Sequence, residues 1–163
     1  MEPDFTARPN SVPWPPIIFL GALLAALGLG ALWPLGLGPL SSVGWLRMAG
    51  IGLAAMGIAL DVAAMLAMRQ ARTNILPHRG ADRLVSGGVF ALTRNPIYLG
   101  NTLLLLGVGL ALPSAWMLAA ALVAALLVDR LAIRREEQHL AARFGPAFAD
   151  YAARVPRWIG VRG

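Results

Sequence analysis

Four apolar runs dominate this sequence, at about 17–33, 43–68, 97–112 and 115–133, and the charged residues are swept to their ends. A hydrocarbon core about 30 Å thick needs about 20 apolar residues in a helix rising about 1.5 Å per residue. The first run is just long enough, the second and fourth are ample, and the third is short. Only 13% of the 163 residues are charged and the mean hydropathy is +0.66, whereas a soluble domain carries about 25% charge. The chain therefore reads as a single all-α membrane domain over 1–163. It has two N-terminal transmembrane helices in 1–68, and its last two spans form a helical hairpin turned at Pro113-Ser114.

The ends of the runs carry the expected signals. Trp14 and Trp33 bracket the first as interfacial anchors. The Pro-rich lead Met1 to Pro16 cannot form a continuous helix, because proline lacks the amide donor. It also lacks the basic opening of a signal peptide, so the first run is expected to remain as an anchor. The second run holds Gly50, Gly52, Ala54, Ala55, Gly57 and Ala59, small residues of the kind that let helices approach closely in lipid. Asp61 lies inside it and is expected to face the bundle interior or a wet cavity.

Charge sets the orientation. All 14 basic residues are arginine, and the net charge is +6. Nucleic acid is the usual partner of such a charge, but these arginines flank apolar spans, where they meet lipid phosphates. The loop at 69–95 carries Arg69, Arg72, Arg79, Arg83 and Arg94 against Asp82, whereas the 34–42 turn is uncharged. The positive-inside rule then predicts an inner-membrane, multi-pass protein with both termini cytoplasmic. There are no cysteines, which excludes disulfides, thiolate metal sites and a cysteine nucleophile. His78 and His139 are far apart and read as surface residues, so no metal centre is expected.

Polar chemistry collects on one face, in the 69–98 loop and the 129–158 tail. The loop ends in Leu84, Val85, Gly87, Gly88, Phe90, Arg94, Asn95, Pro96, Tyr98 and Gly100, a mixture found nowhere else in the chain. The tail opens on Glu136-Glu137 and repeats Leu140, Phe144, Phe148 and Tyr151 at helical spacing, interrupted at Gly145-Pro146. It reads as an amphipathic segment lying along the membrane surface and capping the bundle.

The pattern Leu-Val-x-x-Gly-x-Phe-x-x-x-Arg-Asn-Pro-x-Tyr-x-Gly at 84–100, joined to Glu136-Glu137, Phe144-Gly145-Pro146, Tyr151, Val155 and Arg157, resembles the isoprenylcysteine carboxyl methyltransferase and phospholipid methyltransferase superfamily. The resemblance covers about 65–160. Asn95 stands where the isoprenylcysteine enzymes usually carry histidine, and Val89 where the family usually has proline. The resemblance implies a small integral-membrane methyltransferase using S-adenosyl-L-methionine, with 69–163 as its core. It implies cofactor contacts from Leu84, Val85, Gly87, Gly88, Phe90, Arg94, Asn95, Pro96, Tyr98, Glu136 and Glu137. Asn95, Tyr98 and Arg157 would face the chemistry, Arg157 toward the acceptor.

The residue types suit that cofactor independently. Glu136 and Glu137 offer acids for its ammonium or ribose hydroxyls. Arg94, Asn95 and the first amides of the helix after Pro96 offer donors for its carboxylate. Gly87 and Gly88 allow close backbone approach. The expected partners are membrane lipids and a lipophilic or lipid-linked acceptor, a carboxylate or an amine. Two other readings use the same residues: a non-catalytic lipid-binding or assembly protein built on the arginines, and a small transporter built on Asp61.

Overall fold

The computed structural model describes residues 14–73 and 81–160. The lead at 1–13, with His78 and Arg79, lies outside the described residues. Helix α1 is Trp14–Leu32, α2 Gly44–Gln70, α3 Pro96–Ala111 and α4 Ala115–Val128. The last runs through a wider, π-type turn at Asp129–Ile133 into α5, Arg134–Phe144, and α6, Pro146–Arg154, follows. There is no β-strand among the described residues. Three helical stretches are long and apolar enough to cross a membrane, and α3 is a shorter apolar fourth. The fold is that of an all-helical integral membrane protein.

Each helix begins where its sequence permits. Pro15 and Pro16 sit in the first turn of α1 and Pro96 opens α3, where a missing amide donor costs nothing. Helix therefore starts three residues earlier than the proline-rich lead suggests. Ser114 caps α4, its side chain accepting from the Met117 amide. Gly145, with φ +50°, makes the sharp joint between α5 and α6, a conformation other residues adopt at a cost.

The helices pack in the order α2, α3, α4, α1, so the sequential neighbours α1 and α2 are not the paired ones. The α2–α3 pair closes along glycines seven residues apart on each helix. A Cβ on Gly50 would lie 2.6 Å from the Gly107 carbonyl, and one on Gly57 2.5 Å from the Gly100 carbonyl. These four positions admit only hydrogen, and that brings the backbones into contact, which is the main source of helix association in lipid. Asp61 sits on the same seam, its carboxylate against Gly100, with Oδ1 buried and without a hydrogen-bond partner.

A core of Ile18, Phe19, Leu105, Met117, Ala121, Val128 and Ile133 joins α1, α3 and α4. At the uncharged end the turns are tied together: Trp116 Nε1 donates to the Trp33 carbonyl at 2.8 Å and the Ala115 amide to the Leu35 carbonyl at 3.0 Å.

The tail corrects one expectation. Phe148, Tyr151 and Val155 pack on Leu84, Leu140 and Phe144 as a second small core. The apolar face of α6 is thus consumed by α5 and the 84 loop, and is not free to lie on the membrane. His139 is a second correction. It is 1% exposed, and its Nε2 accepts from the Ala81 amide at 3.2 Å. Facing inward from α5, it pins the start of the 81–95 segment.

Candidate functional site

Residues 81–95 are held in place by three side chains distant in sequence. Thr73 Oγ1 accepts from the amides of Asp82 and Arg83 at 3.0 and 3.2 Å. The Tyr151 hydroxyl donates to the Phe90 carbonyl at 2.7 Å, and burial pushes that phenol up to about 12 despite the nearby Arg94 charge. His139 supplies the third anchor. Gly88, at φ +60°, turns the chain into a single helical turn over Gly88–Ala91. Gly87 and Gly88 have open space where a Cβ would stand, so the backbone here is approachable. Leu84 belongs to the second core, and Val85 beside it is half-buried.

A strap formed by Val155 to Trp158 runs across the next residues. The Arg94 amide donates to the Pro156 carbonyl at 2.9 Å. Thr93 Oγ1 and Asn95 Nδ2 both donate to the Arg157 carbonyl, at 2.8 and 3.2 Å. Thr93 is fully buried and Asn95 is 7% exposed. The Asn95 amide group therefore serves the strap, and Pro96 behind it begins α3 with its anion-attracting end toward these residues.

The acids come from the first turn of α5. The Tyr98 hydroxyl donates to Glu136 Oε1 at 2.5 Å, a charge-assisted length. Glu136 lies beyond the apolar part of its helix, which ends at Ile133, and is half-buried. Burial, with a smaller push from Glu137, raises its carboxyl to about 7, while the Tyr98 hydrogen bond pulls the other way. Its neighbour is in a contrasting setting. Glu137 takes a two-point grip from Arg157, Nε at 3.0 Å and Nη2 at 2.5 Å, and a further contact from Arg94 Nη2 at 3.4 Å. Glu137, and then Asp129, hold the Arg157 guanidinium above its ordinary value.

The structure thus brings together Arg94, Asn95, Pro96, Tyr98, Glu136, Glu137 and Arg157 at one end of the bundle, with Gly87, Gly88 and Phe90 on the loop beside them. Arg157 is paired within the protein, with Glu137 at Nε and Nη2 and Asp129 at Nη1. Sequence reasoning missed Thr93, Pro156, Trp158 and Asp129. Trp158 Nε1 donates to Asp129 Oδ1 at 3.3 Å, and Arg157 Nη1 approaches the same oxygen at 3.5 Å. In the sequence Asp129 marks the return of the fourth span to the interface, but its partnership is not legible there, since its alignment with Glu137 depends on the wide turn between them. Asp61 lies on the α2 side of α3, whereas Tyr98 points to α5.

One atom tests whether a carboxylate-bearing ligand fits. Arg94 has a side chain only 8% exposed, and its Nε is buried with no acceptor. A buried donor left unpaired costs about 1–3 kcal/mol. An anion on this side of Arg94 would satisfy it, and the adjoining start of α3 favours the same charge. The ionisable Glu136 nearby suits a cation or hydroxyl donors. The residues fit an amino-acid-bearing cofactor.

Comparison with known proteins agrees with this geometry. Over 81 residues the chain is 37% identical to the cobalt-zinc-cadmium resistance protein CzcN of Cupriavidus metallidurans, covering 50% of this chain and 37% of that protein. It is 36% identical over the same length to the nickel-cobalt-cadmium resistance protein NccN of Alcaligenes xylosoxydans xylosoxydans, covering 38% of that protein. The match thus spans less than two-fifths of either relative. The fold is shared with the eukaryotic intramembrane Ras methyltransferase, isoprenylcysteine carboxyl methyltransferase, at a TM-score of 0.65 and 24% identity, over 94% of this chain and 55% of that one. Residues 45–147 match the family model for phospholipid methyltransferase, and the chain belongs to that family.

Proposed function

We propose that this protein transfers a methyl group from S-adenosyl-L-methionine to a membrane-embedded or lipophilic acceptor. The observation that carries the reading is the meeting of Tyr98 with Glu136, thirty-eight positions apart, beside a buried Arg94 whose Nε lacks an acceptor. Bound there, the cofactor supplies an electrophilic methyl on its sulfonium. Arg94 Nε and the first amides of α3 would take its carboxylate. Glu136 would take its ammonium or ribose hydroxyls, and Gly87-Gly88 the flat face of the adenine. Glu137 is neutralised by two arginines and serves as the post around which they are set. Tyr98 holds Glu136 in one orientation. The protein's contribution is alignment and exclusion of water.

The arginine-rich end is assigned to the cytoplasm from the charge asymmetry of the loops, and the inner membrane is the proposed location. The acceptor class is a carboxylate of an isoprenoid molecule or an amine of a lipid. A carboxylate is already a nucleophile, while an ammonium would have to lose a proton to a carboxylate such as Glu136.

Calorimetric titration of the purified protein in lipid nanodiscs with S-adenosylhomocysteine tests the cofactor. Saturable heat that Glu136→Ala abolishes is expected; heat absent from the parent defeats the reading. Labelled-methyl transfer into membrane lipid and small acids, read by mass spectrometry, then identifies the product.

A further inference from the structure

We propose that Asp129 is a positioning residue: from the wide turn it latches Arg157 and Trp158, and through that strap it fixes residues 93–95 against the cofactor site. The cofactor part of this statement rests on the function proposed above. The latch itself does not.

Three donors converge on Asp129 from two directions. Trp158 Nε1 and Arg157 Nη1 reach Oδ1 at 3.3 and 3.5 Å, and Arg134 Nε reaches Oδ2 at 3.3 Å. Arg94 and Arg157 share Glu137, so a single carboxylate faces two guanidinium groups there. Asp129, which also meets the exposed Arg134, brings a second carboxylate to Arg157. The fork of Arg157 explains the placement: Glu137 occupies Nε and Nη2, and Asp129 takes the remaining nitrogen.

The wide turn makes this alignment possible. Eight residues of regular α-helix advance about 800°, which would leave Asp129 about 80° around the helix from Glu137. The π-type turn at Asp129–Ile133 accommodates one extra residue, removing about 100° of winding. Asp129 and Glu137 then stand two turns apart on nearly one face, where a single guanidinium spans them. The strap they hold supplies the carbonyls of Pro156 and Arg157, which anchor the Arg94 amide, the Thr93 hydroxyl and the Asn95 amide group. Asp129 itself contacts neither Tyr98 nor Glu136 in this network.

The test uses the full chain in nanodiscs, with Asp129→Ala, Asp129→Asn and Trp158→Phe. The parent-minus-Trp158→Phe difference spectrum isolates emission from that indole. Asp129→Ala is expected to shift it, and Asp129→Asn, which retains an acceptor for the indole, to restore it. Hydrogen exchange at the Arg94 amide should quicken at least tenfold in Asp129→Ala, with exchange in the α2–α3 seam unchanged. S-adenosylhomocysteine should bind about tenfold more weakly, the loss of one charge-assisted bond, and Asp129→Asn should fall between. An unchanged Arg94 exchange rate overturns the latch, whatever the emission does. An altered exchange rate with unaltered cofactor affinity overturns its link to the site. If the parent binds no S-adenosylhomocysteine, the methyltransferase reading falls, and the Arg94 exchange rate still decides the latch.

Discussion

Replacing Tyr98 by phenylalanine isolates one hydrogen bond and gives the cofactor site a measurable pH signature. Glu136 carries a carboxyl raised to about 7 by burial, with Tyr98 opposing that rise. A bond to a charged acceptor is worth about 1.5–3 kcal/mol, or about one to two pK units at about 1.36 kcal/mol each. Tyr98→Phe should therefore move the titration of Glu136 upward by about one to two pH units. The cofactor's ammonium or hydroxyls need the ionised carboxylate, so in the parent affinity should rise with pH up to about 7 and level off above it. At pH 7 each binding event should release about half a proton. In Tyr98→Phe the plateau should move to more alkaline pH, and proton release at pH 7 should approach one. Calorimetry of S-adenosylhomocysteine binding in buffers of different ionisation enthalpy reads both quantities. A profile that is flat, or that moves toward acid in Tyr98→Phe, would refute the assignment of Glu136. The sign for stability is opposite. The raised folded value means that the contribution of the neutral Glu136 is fully present below its ordinary 4.5 and is lost as pH rises through about 7.

Three further outcomes follow from the packing. Gly57→Leu should push α2 and α3 apart, because a Cβ there already meets the Gly100 carbonyl at 2.5 Å; overpacking costs about 1–3 kcal/mol or more, and thermal unfolding in detergent should show it. Gly52→Leu, with nothing within 4 Å, is the control and should change the midpoint little. His139→Ala should cost about 1–3 kcal/mol by leaving the Ala81 amide without its acceptor, seen as faster exchange at Ala81. Tyr151→Phe should cost about 1 kcal/mol and loosen the 87–91 turn, raising amide exchange at Phe90 and Leu92 while α1 to α4 keep their protection.

The spans were legible because burying a peptide group in hydrocarbon leaves the chain little choice but a helix, and hydropathy alone locates a helix of that length. The 84–100 segment and Glu136-Glu137 were legible for the complementary reason: polar residues at the edge of apolar runs have few roles open to them. Partnership was not legible. Glu136 and Glu137 are adjacent and chemically alike, yet one is bonded to Tyr98 and the other is clamped by two arginines. That difference is set by which way the first turn of α5 faces, and hence by the wide turn before it. The tail shows the same limit. Its apolar spacing fits a lipid surface and a protein core equally well, and only the folded loop at Leu84 decided for the core. His139 went inward for the same reason. One-dimensional pattern determined which segments leave water. The order of α2, α3, α4 and α1, the seven-residue glycine register and the identity of each acid's partner were decided by close contact in three dimensions, where a missing Cβ or one extra residue in a turn redirects every side chain beyond it.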